Sequence, residues 1–104
     1  MLNNIKLDRP RIRIDFNEAV SNDLYLLSVT DFATDSDGNE VELLEGKKVF
    51  IYSDDCGANE HGVEEILVAD AKAELNDRES WAPHVKWCCR IDDKGVWHEK
   101  LERI

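Results

Sequence analysis

Apolar side chains in this chain recur mainly every second residue, in short runs broken by turn formers. Residues 11–16, Arg-Ile-Arg-Ile-Asp-Phe, alternate without error, placing Ile12, Ile14 and Phe16 on one side and Arg11, Arg13 and Asp15 on the other. That rhythm predicts a strand with one face buried and one in water. Arg9, Arg11 and Arg13 would then form a basic stripe of the kind that protects an edge strand. Residues 17–23 hold turn formers, and residues 24–30, Leu-Tyr-Leu-Leu-Ser-Val-Thr, read as a more central strand covered on both faces. Asp35-Ser36-Asp37-Gly38-Asn39 closes a turn and leads into a short returning segment at residues 41–43. After Glu45-Gly46, residues 47–52, Lys-Lys-Val-Phe-Ile-Tyr, predict another strand, and residues 53–62 an exposed loop.

Residues 64–76 satisfy two patterns. Their Ala, Glu, Leu and Lys content favours helix, but a helical wheel puts Asp70 and Glu74 in the apolar stripe. As a strand, Leu67, Ala69, Ala71, Ala73 and Leu75 alternate cleanly with Val68, Asp70, Lys72 and Glu74. A charge inside a buried stripe costs more than differences in propensity, so strand is predicted and helix is the alternative. Residues 84–91 give a further strand with Val85, Trp87, Cys89 and Ile91 on one face. Asp92-Asp93-Lys94-Gly95 has the composition of a tight hairpin turn, which would return residues 96–99 antiparallel.

These elements predict a single, mainly β domain over residues 1–104, a small antiparallel barrel or rolled sheet with at most one helix, at 64–76. The layout resembles small barrels of the SH3 type. The likeness is one of fold alone, and such barrels host many unrelated functions.

Charge changes the picture more than length does. The 104 residues carry a net charge of −10, and the excess lies within residues 31–79, where fifteen acids face four bases. A field of that sign repels phosphate backbones, which disfavours direct nucleic-acid binding, and favours attraction to basic partners. No apolar run approaches the roughly 20 residues of a membrane span, and residues 1–13 lack the apolar stretch of a secretory signal. The three cysteines, Cys56, Cys88 and Cys89, are an odd number, and neighbours on a strand point to opposite faces. Reduced thiols and a cytosolic location are therefore expected, with no disulfide framework.

Candidate chemistry is sparse. Cys56 and His61 share the 53–62 loop, and His84 and Cys88 flank the start of the Trp87 strand, so the four could in principle form a tetrahedral zinc set. Their spacing argues against it, because His84 and Cys88 on one strand face would lie about 13 Å apart. Cys88 and Cys89 read more simply as buried small hydrophobes. The acidic run at 35–40 lacks calcium ligands at the places held by Ala33 and Leu44, and reads as a turn. No nucleophile elbow, phosphate-cradling loop or His-Glu-x-x-His motif is present, and no cofactor is expected. Among the tryptophans, Trp87 is assigned to the core and Trp81, beside Pro83, is a candidate surface anchor.

The function these features predict is a non-catalytic protein-binding module, of inhibitor or immunity type or an accessory subunit. Its expected partner is another protein, basic in charge, met by Asp54, Asp55, Glu60, Glu64, Glu65 and Trp81. The alternative is a small metal-dependent or thiol enzyme built on the 54–61 loop and His84.

Overall fold

The computed structural model describes residues 5–53, 65–77, 79–100 and 102–103, and among them there are strands and turns but no helix. The strands are β1 (Ile5–Lys6), β2 (Ile12–Arg13), β3 (Ala19–Ser21), β4 (Leu24–Ser28), β5 (Phe32–Thr34), β6 (Glu40–Glu42), β7 (Lys48–Ser53), β8 (Glu65–Leu75), β9 (Trp87–Lys100) and β10 (Glu102–Arg103). Six of them form one strongly curled half-barrel sheet in the order β2-β7-β8-β9-β4-β3. Two small antiparallel pairs, β1 with β10 and β5 with β6, complete the set. The rolled, mainly β architecture is the one the alternation predicts. One pairing departs from a purely antiparallel scheme: β2 runs parallel to β7, with Ile12 opposite Ile51 and Arg13 opposite Tyr52.

The ambiguous 64–76 segment is a strand, and its alanines show why. Ala69, Ala71 and Ala73 are 0–1% exposed and pack with Ile12, Ile14, Leu43, Val49, Ile51, Trp87, Cys89 and Ile91. Inside a tightly curled sheet the strand in the middle has room only for small side chains, so bulky Trp87 and Ile91 on the neighbouring strand fill the space that alanine leaves. Helix-favouring composition here reflects the volume of the core. On the opposite face Ile66 and Val68 pack with Tyr52, and Leu7 and Trp97 lie against them. A third cluster, Leu24, Leu26, Ala82, Val85 and Cys88, sits under the 76–86 connection.

Three expectations are corrected. The first concerns Arg11, expected on a solvent-facing basic stripe but in fact 1% exposed. The alternation is right about its face, since Ile12 and Ile14 point into the main core. That opposite face is covered at this point. The Arg11 guanidinium donates to both carboxylate oxygens of Asp8 at 2.9 Å and to the carbonyls of Ile51 (3.3 Å) and Ala69 (3.2 Å). It also lies 3.8 Å from Asp70 and 5.7 Å from the centre of the Trp97 ring. A buried arginine is tolerated when its fixed fork of donors is met in this way.

The second correction concerns Asp92-Asp93-Lys94-Gly95, which does not reverse the chain. Ala69 pairs with Val96 and Ala71 with Ile91, so one residue of β8, Asp70, faces four of β9. The turn chemistry is present: Gly95 has φ +72° and the Lys94 amide donates to Asp92 Oδ1 at 3.0 Å. It makes a wide bulge within one long strand, because both flanks continue to pair with β8. Asp70, 6% exposed, sits opposite this bulge and receives Lys94 Nζ at 3.3 Å.

The third correction lies at residues 84–86. The strand expected from residue 84 begins at Trp87, and Val85 packs with Cys88 in the third cluster instead of sharing a face with Trp87. Asn76 explains the difference, since its side-chain amide donates to the carbonyls of Ala82 and Val85, both at 2.9 Å, and bends this stretch into a turn.

Candidate functional site

The turn at 35–39 shapes the surface with the clearest binding character. The Asp35 amide donates to the Asn39 carbonyl at 2.9 Å, and Asp35 Oδ1 accepts from the amides of Asp37 (2.9 Å) and Asn39 (3.0 Å). Gly38 supplies the positive φ, +84°, that this closure requires. The turn joins β5 to β6 in a register that pairs Phe32 with Glu42, Ala33 with Val41 and Thr34 with Glu40. Ala33 and Val41 pack against the main core. The other four side chains therefore share the outward face.

That face is apolar and acidic together. Phe32 is 45% exposed, and Glu40, Glu42 and the nearby Asp37 are exposed. The backbone beneath Phe32 is held in place: its amide donates to Thr30 Oγ1 at 3.2 Å, and its carbonyl accepts from the hydroxyls of Ser28 (2.7 Å) and Thr30 (3.0 Å). Two neighbouring carboxylates serve internal roles. Asp31 accepts from Lys86 at 2.7 Å and from the Trp87 indole at 2.9 Å, and these contacts hold its carboxyl below the usual carboxylate range. Asp35 closes the turn. The side chains of Glu40 and Glu42 make no ion pair with a described residue. An aromatic ring beside unengaged carboxylates can receive an arginine or lysine, with the ring face and the carboxylate acting on the same cation.

The residues singled out from the sequence are placed differently. Asp54, Asp55, Glu60 and Glu64, with the metal candidates Cys56 and His61, lie outside the described residues. Glu65 opens β8 opposite Lys100 in the backbone ladder. Trp81 is 61% exposed, and its indole N–H donates to the Ala19 carbonyl at 2.9 Å. Glu18 turns its carbonyl inward to the Leu26 amide at 3.1 Å, so the carbonyl of the next residue, Ala19, points out of the sheet. Trp81 thus covers the outer edge of β3, blunting an edge that would otherwise pair with another strand.

His84 and Cys88 do not converge. His84 is exposed in the 83–86 turn, whereas Cys88 is 0% exposed among Leu24, Leu26, Ala82 and Val85. Burial pushes the Cys88 thiol up to about 11 and the Cys89 thiol up to about 12, the reverse of what an activated nucleophile needs. Among the described residues no group of three or more His, Cys, Asp or Glu side chains could hold a metal ion. His84 instead borders an open cleft of about 480 Å³ whose rim also carries Arg13, Asp15 and Glu18 and whose floor includes Leu26 and Val85.

The outward hairpin residues were open to sequence reasoning. Phe-Ala-Thr at 32–34 and Glu-Val-Glu at 40–42 mirror each other about the Asp35–Asn39 turn, and each has its small or β-branched residue in the middle. Three-residue strands fall below the length at which alternation separates from chance, so the mirror symmetry was the usable signal. No family model, curated protein or solved structure matches this chain.

Proposed function

We propose that the chain is a non-catalytic binding module that captures a basic protein on the outer face of the β5–β6 hairpin. The observation that carries this reading is Phe32, 45% exposed and directly across the ladder from the exposed Glu42, on a face that no described element covers. The acidic excess of residues 31–79 extends the attraction beyond contact range and speeds encounter with a positively charged partner. An inhibitor that caps a basic enzyme, or an acidic subunit of a larger assembly, both suit this chemistry. The buried Cys88 and Cys89 are free thiols, in keeping with a reducing cytosol.

The test is retention of proteins from cell extract on the immobilised chain, beside its Phe32→Ala and Glu40→Lys/Glu42→Lys variants. A partner held at 0.05 M salt, released towards 0.5 M and lost from both variants is the expected result. A partner held equally at both salt concentrations, or equally by the charge-reversed variant, would show that recognition lies elsewhere.

A further inference from the structure

β7 is paired along only part of its outer side. In the antiparallel ladder with β8, Lys48 lies opposite Lys72, and the Ala73 amide donates to the Lys47 carbonyl at 2.8 Å. The hydrogen-bonding direction alternates from there, so Val49 and Ile51 turn their amides and carbonyls to β8, while Lys48, Phe50 and Tyr52 turn theirs away. Tyr52 meets β2, its carbonyl accepting from the Ile14 amide at 2.9 Å. The β2 register covers only Ile51 and Tyr52. Lys48 therefore presents an amide and a carbonyl, and Phe50 an amide, with no strand partner among the described residues.

A groove runs along this open stretch. Its volume is about 350 Å³, and it is lined by Lys48, Val49 and Phe50 in succession. Side chains of consecutive strand residues alternate between faces, so three in a row line one groove only where the groove follows the strand's edge. Pro10, Ile12 and Val41 supply apolar walls. Two cations stand over it: the Arg9 guanidinium, which also lies 3.6 Å from the Asp8 carboxylate, is 4.5 Å from the centre of the Phe50 ring, and Lys48 Nζ is 5.6 Å from it. The carboxylate on the far rim, Asp35, is engaged by the Asp37 and Asn39 amides.

We infer that this groove is a strand-addition site for an extended, acidic segment of a partner protein. Such a segment would add to β7 through Lys48 and Phe50, place alternate apolar side chains against Pro10, Ile12 and Val41, and set a carboxylate on Arg9 and Lys48. Local charge decides the choice of occupant. The chain's overall −10 is screened beyond about 8 Å at physiological ionic strength, whereas a carboxylate in the groove would contact Lys48 directly and share Arg9 with Asp8. This site is distinct from the hairpin face, and the two would recognise partners of opposite charge.

The probe is a capped hexapeptide of alternating valine and glutamate, titrated at 0.15 M salt into the isotopically labelled full chain, with amide chemical shifts as the readout. The expected result is saturable shifts centred on Lys48, Val49 and Phe50, and affinity at least tenfold weaker for Arg9→Glu/Lys48→Glu. Both substituted side chains are exposed, and unchanged amide spectra elsewhere would verify the variant's fold. Methylating alternate backbone amides of the peptide should weaken binding to the same degree. Absence of shifts, shifts centred away from β7, equal binding of a valine–lysine peptide, or indifference to amide methylation would each overturn the inference.

Discussion

The segment from Asp8 to Arg13 and the hairpin of β5 and β6 are both short and charged, yet the first turns one of its charges, Arg11, inward while the second keeps its carboxylates outward. In the first, Arg11 is 1% exposed and bound to Asp8 and to two strand carbonyls. In the second, Glu40 and Glu42 face water while Ala33 and Val41 face the core. Alternation states which side chains share a face. Whether that face is covered depends on the chain that crosses it, and here Leu7 and Trp97 pack onto the Tyr52–Val68 side of the sheet where Arg11 arrives.

The comparison is sharpest in stability. Arg11→Ala should lower the unfolding free energy by about 3 kcal/mol, because it removes the buried guanidinium that bonds Asp8 and the Ile51 and Ala69 carbonyls, leaves its volume empty, and leaves the 6%-exposed Asp70 with Lys94 as its only cation among the described residues. Glu42→Ala should stay within about 0.5 kcal/mol of the parent, as surface changes away from special features do. Urea unfolding separates the two, with the loss for Arg11→Ala expected in the midpoint at constant slope. Equal midpoints for the two variants would mean that the guanidinium is not a structural part of the sheet.

A second contrast sets the two turn sequences against each other. Gly38 closes a hairpin at φ +84°, and Gly95, at φ +72°, closes a bulge inside β9. A side-chain carbon would meet nothing within 4 Å at either place, so the cost of alanine is conformational alone. Both Gly→Ala variants should lose about 1 kcal/mol. Thermal unfolding of the pair checks this, and a loss at Gly38 without one at Gly95 would show that the bulge relaxes to an ordinary backbone.

These particulars also show how far the sequence could be read. The strand at 64–76 was legible because Asp70 and Glu74 spoil a helical stripe but fit a strand. The closing hairpin was misread because Asp-Asp-Lys-Gly specifies a positive φ and a local side-chain bond, which a turn and a bulge share; only the partner strand decides between them. The inward course of Arg11 was hidden for a similar reason, its two backbone acceptors being 40 and 58 residues away. Of the candidate site residues, Trp81 was open between core and surface from its place beside Pro83; it is 61% exposed, and its contact with Ala19 depends on a separation of 62 residues that no local pattern reports.

The smallest expected effect is on acid stability, and its sign follows from Asp8. Hydrogen bonds from Arg11, foremost among the causes, hold the Asp8 carboxyl below its ordinary value of 3.8. A carboxyl depressed on folding contributes stability that is fully present above the unfolded-state value and is lost as the pH falls through the folded-state value. Stability should therefore decline below about pH 4, and the share due to Asp8 should shrink in Arg11→Ala to what Arg9 alone supplies, giving a shallower acid limb. Glu74 adds a second contribution of the same sign, depressed chiefly by its hydrogen bonds with Arg90 at 2.7 and 3.0 Å. Both pairs are screened, since the Asp8 side chain is 38% exposed and Arg90 47%, so each should count for less than about 1 kcal/mol. Urea midpoints from pH 6 down to pH 3 for the parent, Arg11→Ala and Glu74→Gln measure this directly. Parallel acid limbs in parent and Arg11→Ala would mean that the inward arginine leaves Asp8 as it is in water, and that the two regions differ in burial but not in electrostatics.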